Sequence, residues 1–137
     1  MPYSHAGVCV GDDQTIEAVP KGVVYGSMAD HIKNDASVMA WENIYMTSSM
    51  AFDVHKSLEL AIGKGYDWLE SISYVVPVGE DPGAYNCVEV VMVAFKSVGL
   101  LPADMDPIKT SPLDLACFLE SPRGQGYGWR RRLANSK

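Results

Sequence analysis

Cysteine is scarce in this 137-residue sequence, which has three widely spaced residues, Cys9, Cys87 and Cys117. An odd, scattered set excludes a disulfide framework. No Cys-x-x-Cys pair occurs and no histidine stands near a cysteine at zinc-finger spacing, so a structural zinc site is not expected. Long apolar runs are also missing, and none approaches the roughly 20 residues needed to cross a bilayer. Met1-Pro2-Tyr3-Ser4-His5 has neither a basic region nor an apolar block, so no secretory signal is read there and the protein is expected to be cytoplasmic as synthesised. Positive charge is in deficit, with 11 Lys and Arg against 17 Asp and Glu and a net charge of −6. A polyanion needs a compensating basic surface, so nucleic acid is excluded as a partner. No repeat or low-complexity block is visible.

What remains describes a folded domain, 47% apolar and 20% charged. Its length suits one core and one domain, placed at 1–122. Arg123, Arg130, Arg131, Arg132 and Lys137 gather at the far end. They read as a basic, flexible tail over 123–137.

Along the chain, His5 to Val10 reads as a short strand, Gly11-Asp12-Asp13 as a turn and Gln14 to Ala18 as a second strand, together a β-hairpin. Val23-Val24-Tyr25 is a third strand. Ser27 caps a short helix from Met28 to Lys33, with Asp30 at its third position. Ser37 to Trp41 reads as a strand and Ser49 to Ile62 as a helix closed by Gly63. Ser73 to Val78 reads as a strand running into a Pro82-Gly83 turn. The run from Cys87 to Val98 has Val90, Val91, Ala94, Phe95 and Val98 at helical spacing, and Gly99 at the position of a C′ residue. Its valines also suit a strand; the helix is preferred. Ser111-Pro112-Leu113-Asp114 opens a last helix to about Leu119. The sum is an α+β domain, an antiparallel sheet with helices beside it.

On this reading Asn86 caps the helix and Cys87 lies in its first turn, where unpaired N–H groups favour a thiolate. Cys9 and Cys117 are read as core fillers. A nucleophilic cysteine needs a base, and the base needs an orienting group. In a hairpin turning at Asp12, His5 and Glu17 come close across the strands and share a face. Glu17 would take one imidazole nitrogen and leave the other for sulfur. His31 and His55 are read as structural, Tyr66, Trp68 and Tyr85 as core or groove wall. Glu89 is given no role.

Four blocks carry a resemblance. Ser4-His5-Ala6-Gly7-Val8-Cys9-Val10-Gly11 with Ile16-Glu17-Ala18 resembles the "sHvGiyiG … viEA" hairpin of circularly permuted NlpC/P60 papain-like proteins. Gly63-Lys64-Gly65-Tyr66-Asp67-Trp68 is similar to their "G.pYD" segment. Tyr85-Asn86-Cys87-Val88-Glu89-Val90-Val91 is similar to their "Y.CsElV" or "NCEhFV" helix start, and Ser111-Pro112-Leu113-Asp114-Leu115 to their "TPadLa" helix. The resemblance implies a permuted papain-like α+β fold with Cys87 as nucleophile, His5 as base, Glu17 as orienting group and the Cys87 N–H as an oxyanion donor. It implies a cysteine peptidase or amidase acting on a peptide or acyl substrate, such as a cell-wall peptide, with no metal or organic cofactor. Glu17 tilts it toward the YiiX/YycO-like hydrolases and away from the lecithin–retinol acyltransferase-like branch, where histidine usually holds that position. An acyltransferase and an inert binding module are the other two readings. Family members usually carry a further strand before the histidine. Only four residues precede His5 here, which predicts a minimal fold, of phage or mobile-element type, or one completed by a second copy.

Overall fold

The computed structural model describes residues 5–19, 22–35, 37–63 and 82–136. Strands β1 (Val8–Cys9), β2 (Gln14–Val19) and β3 (Gly22–Ser27) form an antiparallel sheet in that order. Helix α1 (Met28–Asn34) follows, then β4 (Ser37–Asn43) and α2 (Ser48–Ala61). After the undescribed stretch come α3 (Pro82–Ser97), a 3-10 turn (Pro107–Lys109), α4 (Pro112–Glu120), α5 (Pro122–Gly126) and β5 (Trp129–Ser136). β5 pairs antiparallel with β4 in a second small sheet. The chain is therefore α+β. Among the described residues no helix is long and apolar enough to cross a membrane.

Strand alternation sorts the first sheet. β1 and β2 pair Val8 with Ile16 and Cys9 with Thr15, and β2 and β3 pair Ala18 with Val23. Cross-strand partners share a face. Val8, Ile16, Ala18 and Val23 therefore all enter the core, while Thr15 and Glu17 project from the opposite face. α2 brings Val54, Leu58 and Ala61 to the core at helical spacing. α3 packs against β2 and is buried on most of its circumference from Cys87 to Phe95.

Local chemistry sets the ends. Ser27 caps α1 by accepting from the Asp30 N–H, and Ser111 and Asp114 form a reciprocal capping box on α4. α3 ends at Gly99, whose φ of 78° is easy only for glycine. The Leu100 N–H reaches the Phe95 carbonyl at 3.0 Å and the Gly99 N–H reaches that of Lys96 at 3.1 Å. This is the paired Schellman arrangement.

Several expectations need correction. The stretch expected to be a loose tail, 123–137, is folded over its described residues, 123–136. α5 and β5 lie in that stretch, and Trp129 is buried, meeting Phe95 edge-on at 5.1 Å and donating from Nε1 to the Leu100 carbonyl at 2.8 Å. An apolar anchor and a ladder with β4, interrupted by one bulge between Ala40 and Trp41, order a segment whose arginines suggested only solvation. Cys9 and Cys117 are exposed, not core fillers. Alternation turns Cys9 away from the side Val8 occupies, and α4 buries Pro112, Leu115, Ala116 and Leu119, a stripe that misses position 117. Pro82 and Gly83 belong to α3, not to a turn. The expected strand at Ser73–Val78 and the block from Lys64 to Trp68 lie outside the described residues.

Candidate functional site

The hairpin delivers two of the three residues. Continuing the Val8–Ile16 register toward the N-terminus puts Gly7 opposite Glu17, with His5 two residues further on the same face. His5 Nε2 lies 3.0 Å from Glu17 Oε1. Glu17 is 7% exposed, so its bonds are sheltered from water. The other oxygen, Oε2, accepts from Thr15 Oγ1 at 2.7 Å and faces His31 Nε2 at 2.8 Å.

Two glycines make room for it. A Cβ on Gly7 would stand 3.2 Å from the Glu17 Cβ, and one on Gly26 would stand 2.5 Å from Oε2 and 2.7 Å from Thr15 Oγ1. β3 pairs Gly26 with Thr15, so the absence of a side chain there gives the carboxylate its seat.

α3 supplies the third residue. Cys87 is completely buried and hydrogen-bonds the His5 imidazole. Glu17 holds Nε2, which leaves Nδ1 as the nitrogen facing sulfur. The structure thus brings His5, Glu17 and Cys87 together. It differs from expectation in where the helix begins. α3 starts at Pro82, so Cys87 is its sixth residue and not in its first turn. Past the first four helical residues an N–H bonds to the carbonyl four back. The Cys87 N–H is spent inside the helix. The free helix end cannot favour its thiolate as supposed, nor can that N–H meet an oxyanion.

The electrostatics follow from the contacts. The hydrogen bond to Cys87, then that to Glu17, outweigh burial and raise the His5 pKa to about 10. The bond from His5 leads those that pull Glu17 down to about 2 against its burial, with Thr15 and His31 adding to it. His5 is therefore an imidazolium at neutral pH and Glu17 a carboxylate. In the order sulfur, imidazolium, carboxylate, the charge on the ring is matched by Glu17 at Nε2, and the ring holds a proton that it can pass to a leaving group.

His31, read as structural, is part of this network, as is Thr15. Thr15 had a legible signal, because a residue two before Glu17 on a strand shares its face. His31 had none. It reaches Glu17 from α1, fourteen residues on, by tertiary packing. His55 pairs with Glu59, four residues on in α2, at 2.8 Å. A groove of about 360 Å³ lies between β1 and α2, lined by Val8, Val10, Met46, Phe52 and Phe95 among others, and none of His5, Glu17 and Cys87 lines it. Among the described residues no group of three or more His, Cys, Asp or Glu side chains is arranged to hold a metal ion. Comparison with known proteins finds no matching family model, no similar curated protein and no similar solved structure.

Proposed function

We propose that the chain is a cysteine-dependent hydrolase of the permuted papain-like type, cleaving an amide bond through a thioester on Cys87. The observation that carries this reading is the unbroken sequence from Cys87 to the His5 imidazole to Glu17, with 3.0 Å between Nε2 and Oε1. A buried cysteine acting only as an apolar filler has no use for a histidine whose other nitrogen is held by a buried carboxylate.

The steps use these residues in turn. With the thiol proton held on the His5 imidazolium, the Cys87 thiolate forms a bond to the acyl carbon as the carbonyl becomes an oxyanion. The C–N bond breaks, and His5 gives its proton to the departing amine. Water then adds to the thioester, with His5 accepting its proton. The C–S bond breaks, which releases the carboxylic acid and restores the thiolate beside the protonated His5. Glu17 keeps the ring oriented throughout and matches its charge. The substrate class is an amide of peptide type, with a cell-wall peptide as the form the sequence blocks favour. Since Cys87 is fully buried, attack requires the cover over sulfur to move first.

Alkylation with iodoacetamide tests the reading sharply, because accessibility and chemistry predict opposite orders. Cys9 and Cys117 are exposed and Cys87 is buried, so an inert thiol at 87 would be the slowest of the three. The hydrolase reading expects Cys87 to be labelled first, and His5→Ala to abolish its lead. Slow labelling of Cys87 in the wild type would overturn it.

A further inference from the structure

The second histidine on Glu17 is bonded in a way that fixes its charge. His31 Nε2 lies 2.8 Å from Glu17 Oε2, and His31 Nδ1 lies 2.7 Å from Asp35 Oδ2. A neutral imidazole has one N–H, and a carboxylate offers only acceptors. His31 satisfies both partners only as an imidazolium. Its ring centroid is 6.0 Å from that of His5, so two imidazoles flank one carboxylate.

Four groups then alternate in sign beside Cys87: His5, Glu17, His31 and Asp35. Glu17 is left only part of its charge for His5, since a second cation holds its other oxygen. We propose that His31 is a positioning residue of this site: as an imidazolium it pins Glu17 Oε2 and offsets its charge, and so sets the pH at which the Cys87–His5 pair ionises. This inference rests on the hydrolase reading and adds a residue to it.

The surroundings leave His31 few other influences. Besides Glu17 from β2, His5 and Asp35, its own helix carries Asp30 and Lys33, and Asp13 binds the N-terminus of that helix through the Ala29 N–H at 2.7 Å. β3 and β4, which flank α1, carry Tyr25 and Glu42, and neither bonds to the ring. Burial opposes the His31 charge, but the bonds to Glu17 and Asp35 outweigh it and raise its pKa.

The test is the pH profile of Cys87 alkylation by iodoacetamide, followed by mass spectrometry, with exposed Cys117 as internal reference. His31→Gln leaves the whole Glu17 charge to the His5 imidazolium, which favours its thiolate partner, and is expected to move the Cys87 midpoint downward by about half a pH unit or more. His31→Arg keeps the cation and is expected to hold the midpoint near the wild-type value. Should His31→Gln fail to fold, Asp35→Asn weakens the same charge from outside the ring and is expected to give a smaller downward shift. An unmoved midpoint in the charge-removing variants, or an equal shift in His31→Arg, overturns the inference while leaving the hydrolase reading standing. A wild-type Cys87 that alkylates no faster than Cys117 at any pH overturns both.

Discussion

Gly26 lies against the Glu17 carboxylate so closely that a Cβ there would be 2.5 Å from Oε2. The neighbouring Thr15 hydroxyl, 2.7 Å from the same point, closes the other way out. Gly26→Ala therefore pushes Glu17 off His5 and His31 together. The expected result is a fall in the Cys87 alkylation rate on the order of 100-fold, because displacement of about 1 Å in an orienting group is enough for that. Overpacking adds a stability loss of about 1–3 kcal/mol, readable in denaturant unfolding. Gly11→Ala, where the nearest atom is Gln14 Cβ at 3.8 Å, is the matched control and should change neither.

The same contacts predict a stability profile with two arms. Glu17 is held near 2 in the folded chain against an ordinary 4.5, so its contribution is complete above pH 4.5 and is lost as pH falls toward 2. His5 is raised from 6.5 to about 10, so its contribution is complete below pH 6.5 and is lost as pH rises through 10. Melting temperature against pH should therefore be highest between these windows. Glu17→Gln should flatten the acid arm and His5→Gln the alkaline one. If each variant keeps the wild-type slope on its own arm, the contacts do not carry the linkage.

Which parts of this were legible in the sequence depends on the range of the interaction. The hairpin parity of His5 and Glu17, the Ser27 and Ser111 caps and the Gly99 stop are local rules, readable from residues a few positions apart. The start of α3 was misplaced because Pro82 and Gly83 resemble a turn, whereas proline also suits the first position of a helix. His31 and β5 were missed for a different reason. Nothing within ten residues of His31 marks it as a partner of Glu17, and the arginines around Trp129 hide an anchor that meets Phe95 and Leu100 only after packing.

Trp129 should behave as a core residue. It is 5% exposed, and its indole N–H is satisfied by the Leu100 carbonyl. Trp129→Ala removes the edge contact with Phe95 and leaves that carbonyl without its donor, at a cost of about 3–5 kcal/mol. Trp129→Phe keeps the ring packing and should recover more than half of the loss. A chain ending at residue 128 should melt as far below the wild type as Trp129→Ala does, because β4 then loses its partner strand. A truncated chain with wild-type stability would mean that β5 contributes nothing to the fold.

Glu89 presents the opposite case to Glu17, a carboxylate buried without help. It is fully inaccessible, and among the described residues neither carboxylate oxygen has a hydrogen-bond partner. Burial, then the negative charge of Asp106, raise its pKa from 4.5 to about 7. A carboxyl raised in the folded state adds no penalty below pH 4.5, where both states are protonated. As pH rises through 7, folding increasingly opposes its ionisation. Fully developed, that penalty is on the order of 3 kcal/mol for a shift of this size. Glu89→Gln keeps the shape and removes the titration. It should match the wild type near pH 4 and exceed it by several degrees in melting temperature at pH 8.5, with the crossover following the Glu89 ionisation. If the two curves run parallel from pH 4 to pH 9, Glu89 does not ionise differently in the folded and unfolded chain.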